Sequence, residues 1–137
     1  MIGAVLALAL IAPQIESEPF QLGRNIFYGG MCSTLGWVGD RDRAIVYGQA
    51  WARARPELSA GEAQNEMMRG MEAGRVDALA LRDAFEGSGD AAKFRRELTE
   101  RCDQVARDEP ELLSRTGDTD QRLEAWITSR LSERDGE

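Results

Sequence analysis

No histidine occurs anywhere in the 137 residues of this chain, and that absence excludes more chemistry than any residue present invites. Without an imidazole there is no Ser-His-Asp or Cys-His site, and the commonest general base is missing. Cysteine is nearly as scarce. Cys32 and Cys102, the two cysteines, stand too far apart for a CxxC redox motif and cannot complete a zinc site without histidine. Glycine-rich phosphate loops are also lacking: Gly29-Gly30 has no P-loop lysine beside it and follows no strand. There is no lipidation cysteine, C-terminal sorting signal, internal repeat or low-complexity stretch. No apolar run approaches the ~20 residues that a spanning helix needs.

What is present begins with IGAVLALALIA, the uncharged segment Ile2 to Ala12. Its length matches the apolar core of an export signal. No basic residue precedes it, its best small-x-small site (Ala7-Leu8-Ala9) falls inside the run, and Pro13 disfavours cutting after Ala12. Residues 1–18 are accordingly read as signal-like, with an uncleaved anchor or a buried apolar helix as the alternatives, and residues 19–137 as a single helical domain. Export places the protein in the periplasm or outside the cell; a buried N-terminal helix would place it in the cytoplasm. Membrane contact is expected only if the segment is retained.

Charge is abundant and unevenly placed, with a net −7 overall. Residues 1–55 hold five arginines against four acids, residues 56–106 seven bases against eleven acids, and residues 107–137 five against nine. An acidic surface of this kind argues against nucleic-acid binding, which needs a net basic footprint. Acid pairs at Asp40/Asp42 and Asp118/Asp120 lack the ligand spacing of an EF-hand and sit where helices start, so capping explains them, and no cofactor or metal is expected.

The body reads as helix after helix, with no convincing β-alternation. Pro19 opens a helix carrying Phe20, Ile26, Phe27, Met31 and Leu35, which Gly29-Gly30 weakens. After a break at Gly36 to Gly39, Asp40 caps a helix of about Arg41 to Arg55. Ala44, Tyr47, Gly48 and Trp51 share one face of it, and an aromatic stripe at this spacing is core before it is a ligand groove. Pro56 ends that helix, and Ser59 to Glu62 matches a capping box for the next. Met67, Gly70, Met71, Gly74, Ala78, Leu81 and Phe85 then form a strict helical seam, but Gly74 followed by Asp77 favours a stop and restart there. Met67, Met68 and Met71 make a soft, adaptable surface that, with Tyr47 and Trp51, is the candidate interaction surface.

Gly87-Ser88-Gly89 is a loop and Asp90 caps a helix with the stripe Phe94, Leu98, Cys102, Val105, which ends before Pro110. Asp118 to Gln121 resembles a second capping box, opening a final helix with Leu123, Trp126, Ile127 and Leu131 inward, and Ser132 to Glu137 is expected to fray. Cys102 lies on an inward stripe. Cys32, four residues after Tyr28 and three before Leu35, does too, so an intramolecular Cys32–Cys102 disulfide is expected. The fold expected is an all-α compact bundle of about five or six short amphipathic helices pinned by that bond.

Strong caps and apolar seams beside missing catalytic groups point to a small exported, non-enzymatic helical protein. It would act by protein–protein interaction, as an envelope accessory subunit or a self-associating domain. The alternatives are a periplasmic stress chaperone or apolar-ligand binder that opens as its 24 carboxylates protonate, and a hydrolase or lyase working through carboxylates alone.

Overall fold

The computed structural model describes residues 18–135, apart from the side chains of Arg41 and Ala60. The apolar segment Ile2 to Ala12, and with it the export reading, lies outside the described residues. Five helices follow in order: α1 (Glu18–Ser33), α2 (Arg41–Arg53), α3 (Ala60–Ser88), α4 (Ala91–Asp108) and α5 (Thr119–Asp135). This is the expected all-α bundle. A feature that the sequence did not suggest joins it: β1 (Val38–Gly39) pairs antiparallel with β2 (Leu113–Ser114), Val38 opposite Ser114.

Apolar periodicity builds the core. On α4 the stripe Phe94, Leu98, Cys102 and Val105 is buried at every position, and α5 adds Leu123 and Ile127. Phe94 stacks between Phe85 of α3 and Trp126 of α5, with ring centroids 4.6 and 5.4 Å apart, which ties three helices at one end of the molecule. Trp37, 1% exposed, fills the corner beside the β-ladder, and its Nε1 donates to Asp103 Oδ1 at 2.9 Å. A second, smaller cluster, Leu22, Ile26, Ala44, Trp51 and Leu112, seats α2 on α1.

Cys32 and Cys102 are bonded, with Cα atoms 5.9 Å apart, so α1 and α4 are direct neighbours across the core.

Four local expectations are corrected. Helix α3 runs unbroken from Ala60 to Ser88 through Gly74. Its glycines are sites of close approach: a Cβ on Gly70 would overlap the Phe20 carbonyl oxygen of α1, and one on Gly23 of α1 would overlap that of Met67. The helix terminates at Gly89, whose φ of +70° is the left-handed conformation in which glycine ends helices. Ser59 occupies the N-cap of α3, but its side chain makes no capping bond. The Asp118 box is not formed either: its carboxylate accepts from Thr116 Oγ1 (2.5 Å), while Thr119 Oγ1 accepts from Thr116 N (2.8 Å). Finally, α5 stays helical through Asp135 rather than fraying at Ser132.

Two caps are as expected. Asp40 accepts from Asp42 N at 2.9 Å and Asp90 from Lys93 N at 3.0 Å. These observations rank two substitutions. Leu98→Ala, at a position 1% exposed in the centre of the core, is expected to cost about 2–5 kcal/mol. Asp40→Ala, on the surface, is expected to cost about 1 kcal/mol. Urea denaturation followed by circular dichroism measures both, and comparable losses at the two positions would contradict this assignment of the core.

Candidate functional site

A cleft of about 490 Å³ opens between α1, α3 and α4, on the flank of the disulfide-bearing helices. Gln21, Arg24, Asn25 and Tyr28 line it from α1, Asp77 from α3, and Glu100, Arg101, Gln104, Val105 and Asp108 from α4. Three groups make its centre. Arg101 grips the Asp77 carboxylate with two donors, Nε to Oδ2 at 2.7 Å and Nη2 to Oδ1 at 3.1 Å. The Tyr28 hydroxyl donates to the same Oδ2, and Arg101 Nη1 turns back to the Glu97 carbonyl at 3.0 Å.

Helical geometry brings these residues together. Tyr28, one turn before Cys32, is buried on the inward face of α1, whereas Asp77 immediately precedes Ala78 of the α3 seam and stands at the border between core and solvent. Arg101 immediately precedes Cys102 on α4 and is placed likewise. The disulfide fixes α1 against α4, and the Asp77–Arg101 pair joins α3 to them.

The electrostatics follow from this packing. The guanidinium of Arg101, bonded to both oxygens, and then the Tyr28 hydroxyl hold the Asp77 carboxyl below its usual value, against the opposing effect of burial. Arg101 is correspondingly raised, chiefly by its bonds to Asp77. Burial first, and then the neighbouring carboxylate, hold the Tyr28 hydroxyl neutral well above the ordinary tyrosine range. A carboxylate with a lowered pKa is a poor base, and a tyrosine with a raised one is a poor acid. Neither Asp77 nor Tyr28 is therefore poised to exchange a proton near neutral pH.

At its edge, the Gln104 amide donates to Asp108 Oδ1 and accepts from Arg107 Nη2, both at 2.8 Å. Gln21, Asn25 and Glu100 have no side-chain hydrogen bond or ion pair among the described residues and stand at the opening. Amide and carboxylate groups of this kind recognise polar groups on a partner.

The residues singled out from the sequence are placed elsewhere. Trp51 is buried in the smaller cluster, and Tyr47, Met67 and Met71 pack against it. Tyr47 also donates to Glu109 Oε2 at 2.8 Å. Of that set only Met68 stays outside, 59% exposed. The cleft residues carried no local signal, because Tyr28 and Asp77 are 49 positions apart and Asp77 and Arg101 are 24 apart. Among the described residues, no group of three or more His, Cys, Asp or Glu could hold a metal ion, and no helix is long and apolar enough to cross a membrane.

In comparisons with protein families, curated proteins and solved structures, nothing matches the chain.

Both tyrosines of the chain yield a measurable expectation. Tyr47 is pushed up to about 12, first by its hydrogen bond to Glu109 and then by burial, while Tyr28 is raised further still. A group whose pKa is raised on folding contributes stability that is complete below its unfolded value and is lost as pH rises through the folded one. Ultraviolet titration of the folded protein is therefore expected to show little tyrosinate at pH ~10, where the urea-unfolded chain is about half ionised. Ordinary titration of either tyrosine in the folded protein would contradict the hydrogen bonds drawn to Asp77 or Glu109.

Proposed function

We propose that this chain is a small, disulfide-stapled recognition protein of the periplasm or extracellular space, one that binds a protein partner and catalyses no reaction. The observation that carries this reading is the cleft. Its central charges are spent on one another, which makes the site rigid, while Gln21, Asn25 and Glu100 at its opening are left to be satisfied by another molecule. Polar rims with ordered side chains are characteristic of interfaces. The bonded Cys32–Cys102 pair supports an oxidising compartment, where such bonds persist.

Site-specific photocrosslinking in the producing cell tests the proposal. A photoreactive phenylalanine analogue at Asn25, at the opening of the cleft, is expected to capture a discrete protein adduct. The same group at Glu133, far along α5, is expected to capture none. Absence of an adduct at Asn25, or equal labelling from both positions, would overturn the assignment of the cleft as the recognition site.

A further inference from the structure

Charge is segregated along the cleft. At its inner end the Asp77 carboxylate is gripped by Arg101, and Arg24 adds its positive charge nearby. At its mouth, on α4, stand two exposed carboxylates that have no cation among the described residues. Glu100 has neither a hydrogen bond nor an ion pair there, and Asp108 has one neutral donor, the Gln104 amide at 2.8 Å. The carboxylates of Asp77, Glu100 and Asp108 outnumber the guanidiniums of Arg24 and Arg101, and the surplus is at the mouth.

Helix α4 makes that mouth more negative still. Asp108 is its last residue, at the end where the backbone dipole leaves partial negative charge and favours a cation over an acid. Arg107 stands beside it, but its Nη2 is turned to Gln104 Oε1 at 2.8 Å. The position is therefore unfavourable for the isolated helix and favourable for an incoming positive group. Gln21 and Asn25, one turn apart on α1, line the same opening with side-chain amides that can bond a peptide backbone. The chain's net charge of −7 favours the approach of a basic partner from a distance.

We propose that the protein partner presents basic side chains to this mouth, where the Glu100 and Asp108 carboxylates pair with them and the Gln21 and Asn25 amides bond the adjoining peptide groups. The inference rests on the cleft being the recognition site and adds the chemistry of what enters it. An acidic group would meet like charge there. A neutral one would strip water from two carboxylates and return no counter-charge. Glu100 and Asp108 are eight positions apart, about 12 Å along a helix axis. In an extended peptide, residues four apart share one side and lie about 13 Å from each other, so a single strand can serve both carboxylates.

A blocked peptide, acetyl-Arg-Ala-Ala-Ala-Arg-amide, tests this on the full-length oxidised chain, with its Gln-Ala-Ala-Ala-Gln counterpart as the uncharged control. In a nitrogen-15 NMR titration the arginine peptide is expected to shift the resonances of Gln21, Asn25, Glu100 and Asp108 saturably, and less so as salt is added. The glutamine peptide is expected to leave them in place. E100Q/D108N is expected to bind the arginine peptide at least about tenfold more weakly. Both substitutions are on the surface and one relieves an acid at the negative end of a helix, so the variant is expected to fold, as its far-ultraviolet circular dichroism shows. No shifts with the arginine peptide, equal shifts with the glutamine peptide, or undiminished binding by the variant would each overturn the proposal. Photocrosslinking from Asn25 separates it from the reading it rests on. An adduct that persists undiminished in E100Q/D108N would keep the recognition site and overturn the basic partner; a normal titration with no adduct from the wild-type background would uphold the cation chemistry and overturn the recognition reading.

Discussion

Removing the staple with Cys32→Ala/Cys102→Ala is expected to lower the folding free energy by about 4 kcal/mol, the chain-entropy value for closing a loop of this length. The span is long, the partners being 70 positions apart, and it joins helices from the two halves of the sequence. A domain of this size has a total margin of about 5–15 kcal/mol, so the variant would be marginal at physiological temperature. Alanine is the appropriate replacement, because serine would place a hydroxyl in an apolar core and add its own desolvation cost. Both cysteines are 0% exposed. Exchange requires a thiolate to reach one of the sulfurs, so a reductant added to the folded protein is expected to act only as fast as the core opens. Urea denaturation of the oxidised, reduced and double-alanine forms, with mass spectrometry of non-reduced peptides, checks both statements. Rapid reduction without unfolding, or a stability loss below about 1 kcal/mol, would show that the bond does not constrain the core as its burial implies.

What the sequence disclosed and what it concealed divide along a physical line. The stripe Phe94, Leu98, Cys102, Val105 was legible because a helix with charged residues on its other faces can bury only one side, and all four are buried. Cys32 was legible for a related reason: its spacing from Tyr28 and Leu35 turned it inward, and two inward thiols had only each other. The seam of α3 was also visible, but the run of glycines within it misled. Intrinsic propensity assigns Gly74 to a helix stop, whereas in the fold Gly74 lies against the Phe27 ring and Gly70 against the Phe20 backbone. Nothing local distinguishes a glycine that ends a helix from one that admits a neighbour.

The cleft was illegible for a different reason. Its centre depends on three residues from three helices: Tyr28 reads as core on its own helix, and Asp77 and Arg101 as ordinary charged residues beside an apolar stripe. Conversely, Tyr47, Trp51, Met67 and Met71 attracted notice because they are large and regularly spaced, and regular spacing is what places them in or against the smaller cluster. Functional expectation drawn from periodicity finds core first; recognition groups lie at the margins, where periodicity fades.

Substitution of the crossing glycine carries the second large effect. Gly70→Ala is expected to destabilise the protein by about 2–4 kcal/mol even though alanine is the better helix former by ~1 kcal/mol. The added Cβ would overlap the Phe20 carbonyl oxygen and come within 3.0 Å of Arg24 N. These are backbone atoms and cannot rotate away, so α1 and α3 would have to separate. Separation would open the smaller cluster, which α1 shares with α2 and against which Met67 and Met71 of α3 pack. It would also pull Tyr28 from Asp77, so the tyrosinate titration should move back toward the ordinary range together with the loss of stability. Gly30→Ala is the matched control: it lies within α1, and nothing stands within 4 Å of a Cβ built there. That variant is expected to gain about 0.5–1 kcal/mol from helix propensity alone. The opposite signs separate close packing from propensity. A stabilised Gly70→Ala would mean that α1 and α3 do not cross at this distance, and the Asp77–Arg101–Tyr28 centre, which depends on that crossing, would then be misplaced.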